Sequence, residues 1–421
     1  MHRITLILLL ALLLPDLYIY LVYIVRRTKN FAWRAAFWLP SAVLVVLYLY
    51  LIYLTGDNAL AHHPQAIGRL AIAVMALAVP KILFMLCSLL GILCRGLGRC
   101  LSAALLHTPF RKPQAPFIVH RTPFTAAGLV LGVVSFVNVI YGATAGITRF
   151  QVKHVTYESE RLPEGFDGYR IALFTDLHTG TQPRNRRLIR RMVALINREH
   201  PDMVVNAGDL VNIDSHELDD RVMSILSTLH GRDGVYSVLG NHDLGFYMRP
   251  KENFTPRQSV EELLAKQRAM GWKPLVNESA PIRRGADSIL VTGVNFPETG
   301  TNHGRDTGMA GCDMQEVFRS VPPDTYNLLL AHTPEQWDEA RSAGDPDLTL
   351  SGHVHAMQFK LTLGPWSWSP AKFLYERWSG LYSENGKYLY INDGMGYVMY
   401  PMRIGTNPSI TVITLESEKR R

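Results

Sequence analysis

Four long apolar runs fill the N-terminal part of the chain: Ile4–Val25, Ala35–Thr55, Ile67–Leu93 and Phe124–Gly146. Each is close to the roughly 20 residues that an α-helix needs to cross a bilayer. The pattern therefore predicts four membrane-spanning helices. The first run could be read as a secretory signal, since Arg3 precedes it. It lacks a small-x-small cleavage site and continues past Pro15-Asp16 to Val25, so it reads as a retained helix. Asp16 and Lys81 lie well inside apolar runs, where a lone charge is costly. The first and third helices are therefore expected to touch at that depth. Residues 95–123 read as a polar, proline-containing connector, with Leu101–Leu106 as a short interfacial helix.

After Ile147 the periodicity changes. Gln151–Tyr157 alternates as a strand does. Short apolar runs at Tyr169–Phe174, Met203–Val205, Val235–Leu239, Leu328–Leu330 and Leu348–Leu350 predict buried strands. Helical periodicity marks Arg186–Asn197, Glu217–Leu229, Val260–Met270, Met314–Ser320 and Pro334–Ala343. Strands alternating with helices predict a mixed α/β domain. The expected organisation is a transmembrane region over 1–149 and a globular domain over 150–421.

Charge sharpens this picture. The chain of 421 residues carries a net charge of +7, much of it in short segments between apolar runs. Arg26, Arg27, Lys29 and Arg34 follow the first run; Arg95, Arg99, Arg111, Lys112 and Arg121 follow the third. Residues 56–66 have no Lys or Arg, and the N-terminus offers only Arg3. Basic loops stay in the cytoplasm, which predicts an inner- or plasma-membrane protein whose globular domain is extracytoplasmic. No nucleic-acid-binding motif is visible, so no nucleic-acid partner is expected. The four cysteines, Cys87, Cys94, Cys100 and Cys312, form neither a disulfide framework nor a zinc motif.

The candidate chemistry lies at strand ends. Asp176 and His178 follow the first buried run, Asp209 the second and Asn241 the third. His332 follows the fourth, and His353 and His355 the fifth. Ligands gather where strands end in α/β folds, so these seven residues can converge. Two metals about 3.5–4 Å apart can activate a water and clamp phosphoryl oxygens. Such a site needs a bridging carboxylate, for which Asp209 is the candidate. Imidazole mixed with carboxylate suits Mn, Zn, Fe or Ni. Asn241 adds a neutral carbonyl ligand. Asp-x-His and His-x-His would place both partners on one side of an extended segment.

The ordered series Asp176-Leu177-His178, Gly208-Asp209, Gly240-Asn241-His242-Asp243, His332 and Gly352-His353-Val354-His355 resembles the calcineurin-like metallophosphoesterases. The similarity is greatest to a membrane-associated bacterial branch reading Asp-Leu-His-x-Gly, as at Asp176 to Gly180. It extends over about residues 150–415, including Ile391–Gly396 and Pro401-Met402-Arg403. The resemblance implies a four-layer α/β/β/α sandwich behind the all-α transmembrane region. It implies two divalent transition-metal ions, one held by Asp176, His178, Asp209 and His355. The other would be held by Asp209, Asn241, His332 and His353. It also implies that His242 stabilises or protonates the leaving oxygen, with Asn241 beside it in the catalytic set. Where family members often read Gly-Gly-Gln after the last motif, this chain has Ala356-Met357-Gln358.

The expected activity is hydrolysis of a phosphate ester or pyrophosphate, with a lipid-linked or cell-envelope compound as the candidate class. The rival is a non-catalytic membrane sensor or scaffold on the same fold. His303 and Arg305, in the polar loop Asn295–Cys312, are either substrate contacts or solvated loop residues. Three of the seven tryptophans fall in Gly364–Trp378. That stretch reads either as core packing or as contact with a membrane interface or acyl chain.

Overall fold

The computed structural model describes residues 2–55, 64–106, 120, 122–181, 186–248, 253–297, 307–309 and 311–418. His303 and Arg305 lie outside the described residues. The chain divides into two compact units, Met1–Ala143 and Thr144–Arg421.

The first unit holds four helices long and apolar enough to cross a membrane. They are α1 (His2–Ile19), α2 (Phe31–Thr55), α3 (Pro64–Leu106) and α4 (Thr122–Tyr141). Helix α1 continues through a π turn at Tyr20–Ile24. Helix α3 runs 43 residues, about 64 Å of helix. The start of the expected connector is thus the end of α3, and Leu101–Leu106 is not a separate helix. Polar groups inside this unit are paired. Lys81 Nζ lies 2.6 Å from Asp16 Oδ1. Ser41 donates to Asp16 and accepts from Lys81 at 3.0 Å. Ser88 Oγ meets the hydroxyls of Tyr18 and Tyr23 at 2.7 and 2.6 Å. Gly128 and Gly132 let α4 close on α3: a Cβ at Gly128 would lie 2.9 Å from the Cβ of Cys87.

The second unit contains two six-stranded sheets. With β1 at Gln151–Ser159, β5 at Lys273–Pro274, β6 at Glu278–Arg284, β12 at Gly380–Glu384 and β14 at Ser409–Ser417, the first has the order β1-β14-β2-β3-β4-β5 and the second β12-β13-β9-β8-β7-β6. In the first sheet, β2 (Tyr169–Phe174), β3 (Met203–Asn206) and β4 (Gly234–Ser237) are parallel. In the second, β7 (Asp287–Gly293), β8 (Asn327–Leu330), β9 (Leu348–Ser351) and β13 (Lys387–Ile391) are parallel.

Alternation along these strands builds the layers. Ile171, Leu173, Met203 and Val205 face Ile289, Val291, Leu328, Leu330, Leu348 and Leu350 in a core between the sheets. The intervening residues Ala172, Phe174 and Val204 face outward to α5 (Arg186–Arg198), α6 (Asp220–Leu226) and α7 (Pro256–Ala269). On the other sheet Leu329 meets α8 (Met314–Arg319) and α9 (Gln336–Ala343). A period of two on each strand thus produces the helix–sheet–sheet–helix order. The helix expected over Glu217–Leu229 is shorter, because Asp219 caps it and accepts from the Val222 amide. A separate 3₁₀ turn, Ser215–Glu217, precedes it.

Candidate metal centre

Parallel strands align their C-terminal ends. Asp176, Asp209 and Asn241 follow β2, β3 and β4, while His332, His353 and His355 follow β8 and β9. The two sheets thus deliver all seven expected residues to one place. Three groups gather their ligand atoms within 4.8 Å of one another: Asp176, His178 and His355; His178, Asp209 and His242; Asp209, His332 and His353. Asp209 belongs to two of them, as a shared carboxylate would. All seven side chains are buried or nearly so.

The local backbone differs from the extended segments expected for Asp-x-His and His-x-His. Asp176, His178, Asp209, His353 and His355 all have positive φ, at 54°, 46°, 55°, 70° and 52°. Side chains converge because the loops kink into the left-handed region, not because strands alternate. Such conformations cost of order 1–3 kcal/mol each and cluster at functional sites. Ala356, Met357 and Gln358 continue the run at 48°, 48° and 57°. Glycine adopts this region without a Cβ penalty, so Ala356 and Met357 carry a strain that glycine at those positions would avoid.

The electrostatics call for cations. His332 Nδ1 faces the Ala207 carbonyl oxygen at 2.7 Å and so must be the donor. Its Nε2 is thereby turned toward the Asp209 carboxylate, 3.2 Å away. Burial works to lower the His332 pKa, but the Asp209 charge and hydrogen bond outweigh it and raise it to about 9. In other words, the pocket wants a positive charge between these two groups. Nε2 of His332 and Oδ1 of Asn241 are both buried without a hydrogen-bond partner. Asn241 Nδ2 donates to the Tyr247 hydroxyl at 3.1 Å, which turns Oδ1 the other way. Nε2 of His178 and of His355 approach to 3.2 Å. This donor set fits divalent metal ions. Burial, then the neighbouring His332, lowers the His353 pKa to about 4, which favours the neutral imidazole a metal requires.

His242 is held differently. Its backbone N–H donates to Asp209 Oδ1 at 2.9 Å, and its Nδ1 meets the Asn212 carbonyl at 2.6 Å. The tautomer is thereby fixed, with Nε2 unprotonated. Burial lowers its pKa. The ring lies 4.6 Å from that of His178 and 4.3 Å from Tyr247.

Several supporting residues escape a reading of the sequence for ligands. Asp243 accepts from the Val211 and Gly240 amides at 3.0 Å each. Glu217 accepts from Gly180, Asn212 and Ile213, tying the loops after β2 and β3 together. Arg403 is fully buried, donates to the Gly396, Asp393 and Thr406 carbonyls, and lies 3.1 Å from His355 Nδ1. Burial draws its pKa down to about 10. Of these, Asp243 and Arg403 carried a sequence signal, through the Gly-Asn-His-Asp and Pro-Met-Arg segments.

Residues 2–147 match the family model described as probable calcineurin-like phosphoesterase, transmembrane domain, and residues 169–357 match calcineurin-like phosphoesterase. A transmembrane protein with metallophosphoesterase domain from Danio rerio is 29% identical over 384 residues, 89% of this chain and 80% of that protein. The metallophosphoesterase YkuE of Bacillus subtilis (strain 168) is 27% identical over 286 residues, 66% of this chain and 91% of that protein. A metallophosphoesterase of Aquifex aeolicus (strain VF5) is 26% identical over 287 residues, 67% of this chain and 99% of that protein.

Proposed function

Because this chain belongs to the calcineurin-like phosphoesterases and carries their four-helix transmembrane domain, we propose that it hydrolyses a lipid-linked or cell-envelope phosphate ester or pyrophosphate. Two divalent transition-metal ions serve the reaction. Asp176, His178, Asp209 and His355 would hold one; Asp209, Asn241, His332 and His353 would hold the other. When bound, such ions supply Lewis acidity toward the phosphoryl group and its attacking water.

The chain's own residues do the rest. Asp209 carries negative charge shared by both ions, and the His242 amide fixes its orientation. Tyr247 orients Asn241, so that a neutral oxygen faces the centre and the net negative charge stays low for an anionic substrate. His242 enters the reaction neutral. An arriving phosphate favours its protonated form, so Nε2 takes up a proton from solvent as substrate binds and then gives it to the leaving oxygen. The Asn212 carbonyl stabilises that imidazolium through Nδ1. Arg403 steadies the last histidine from behind.

The observation that most supports this reading is His332 Nε2, turned by the Ala207 carbonyl toward the buried Asp209 carboxylate where positive charge is favoured. A cation relieves that arrangement, and the surrounding donors suit a metal. The full chain, purified in detergent and refilled with Mn or Zn, is expected to hold about two ions per chain. Asp209→Asn should lose most of that metal and several kcal/mol of transition-state stabilisation, roughly a thousandfold or more in rate. Elemental analysis finding no bound metal after refilling would sink the proposal.

A further inference from the structure

Beyond the last metal-centre motif, β10 (Leu361–Leu363) and β11 (Trp366–Trp368) form a two-stranded hairpin separate from both large sheets. Its pairs are Leu361 with Trp368, Thr362 with Ser367, and Leu363 with Trp366. The alternation makes it amphipathic: Leu361, Leu363, Trp366 and Trp368 share one face, and Thr362 and Ser367 the other. Gly364 at φ 59° and Pro365 make the two-residue turn. Every residue from Leu361 to Ser367 is exposed, Leu363 at 72% and Trp366 at 52%. The apolar surface continues from the hairpin. Trp368 meets Phe373 edge-on at 6.2 Å, and Phe373 and Leu374 are themselves 74% and 71% exposed.

A two-stranded hairpin with its apolar face in water is marginal at best. A contiguous exposed apolar patch marks an interaction site. The chemistry indicates which one. Tryptophan and leucine beside lysine favour the boundary of a bilayer. From Ala356 to Tyr375 there is no Asp or Glu, while Lys360 and Lys372 are present. That balance suits an anionic lipid surface. The same chain also carries the candidate membrane spans. Four residues separate the end of the last candidate span at Gly146 from β1 (Gln151–Ser159), about 15 Å of extended chain.

We infer that this hairpin, with Phe373 and Leu374, inserts into the lipid interface as a second membrane contact, independent of the spanning helices. The shelf is built onto the metal centre. Ser369 Oγ donates to the Ala356 carbonyl at 2.7 Å, next to His355. The Tyr375 ring lies 6.0 Å from that of His353. An inserted shelf therefore brings the centre down to the level of headgroup phosphates. Its bearing on the substrate rests on the proposed metal-centre reading; the lipid contact itself does not.

The test uses the full chain in nanodiscs of anionic phospholipid, with acyl chains either ordinary or brominated. The tryptophan emission lost on Trp366→Phe isolates the signal of Trp366 from the other tryptophans. That component should be present in ordinary lipid and largely lost in brominated lipid. Leu363→Trp should add a component that is quenched in the same way. Neither reading needs turnover or bound metal, so a failed metal assay leaves the result intact. Equal emission from both positions in the two lipids overturns the inference. If Leu363→Asp then also converts a dimer to a monomer in sedimentation, the shelf is a contact between copies of this chain instead.

Discussion

At the scale of single residues, the centre depends on backbone coming very close to carboxylates. A Cβ at Gly352 would lie 2.5 Å from Asp176 Oδ2, and one at Gly240 would lie 2.1 Å from Asp209 Oδ1. These glycines are required by space beside the ligands, whatever their flexibility. Gly352→Ala should push Asp176 off its position, and a misplacement near 1 Å is enough to cost about 100-fold in rate. Activity and metal content measured on the same preparation check this; wild-type values for both would show that the loop yields freely. Glu217 gives a pH-dependent prediction. Burial raises its pKa from 4.5 to about 7, despite the three amides that favour the carboxylate. A pKa raised by folding means stability that is present below pH 4.5 and lost as pH rises through 7. The difference is about 3 kcal/mol. Glu217→Gln cannot ionise, so its unfolding midpoint should change less than the wild-type midpoint between pH 5 and pH 8. Parallel pH profiles would remove Glu217 as the source. The seven metal-seeking residues were legible in the sequence because each ends a recognisable strand. Glu217 and Tyr247 were not, because their roles arise from contacts among loops whose paths no periodicity encodes.

At the scale of elements, apolar patterning located the buried strands and the helices well. Tyr169–Phe174 is the clearest case, since its residues alternate between two cores and have no competing helical period. What patterning missed was the left-handed backbone at Asp176, His178, His353 and His355–Gln358, where tertiary contacts override the residues' own preferences. It also missed the length of α3, because polar residues such as Arg95 and Arg99 can extend a helix beyond its apolar part. In the membrane unit, Pro15, Pro40 and Pro80 each lie inside a helix and immediately precede Asp16, Ser41 and Lys81. Each proline breaks a helical hydrogen bond beside a polar side chain, so all three helices concentrate their polarity where that triad meets. Removing one charge leaves the other unpaired in hydrocarbon, a loss of about 3 kcal/mol or more. Asp16→Ala and Lys81→Ala should therefore each lower the unfolding temperature in detergent more than the double variant does. Additive losses around that cycle would mean that the 2.6 Å contact contributes no pairing energy.

At the scale of the whole molecule, the side of the membrane on which the catalytic unit lies limits the phosphates it can meet. Four spans bring the chain back to the side of its N-terminus. Arg26, Arg27, Lys29 and Arg34 lie between α1 and the body of α2. Arg95 and Arg99 lie near the end of α3, with Arg111, Lys112 and Arg121 between α3 and α4. On the opposite side, residues 56–66 carry no Lys or Arg, and Arg69 is the single cation in the first two turns of α3. If cations are retained in the cytoplasm, the N-terminus, residues 56–66 and the chain after Gly146 would lie outside. Losing the first span to cleavage would leave that outcome unchanged, because the loops after α2 and α3 impose the same orientation. The catalytic unit would work against the outer leaflet, where exported lipid-linked phosphates are within reach and cytoplasmic nucleotide-linked ones are not. In that orientation a C-terminal reporter that matures only outside the cytoplasm should be active. Protease added to cells stripped of their outer layers should cut the domain while sparing a cytoplasmic control. A fusion active only in the cytoplasm, or a domain fully protected until the membrane is opened, would reverse the orientation and return cytoplasmic phosphate esters to consideration.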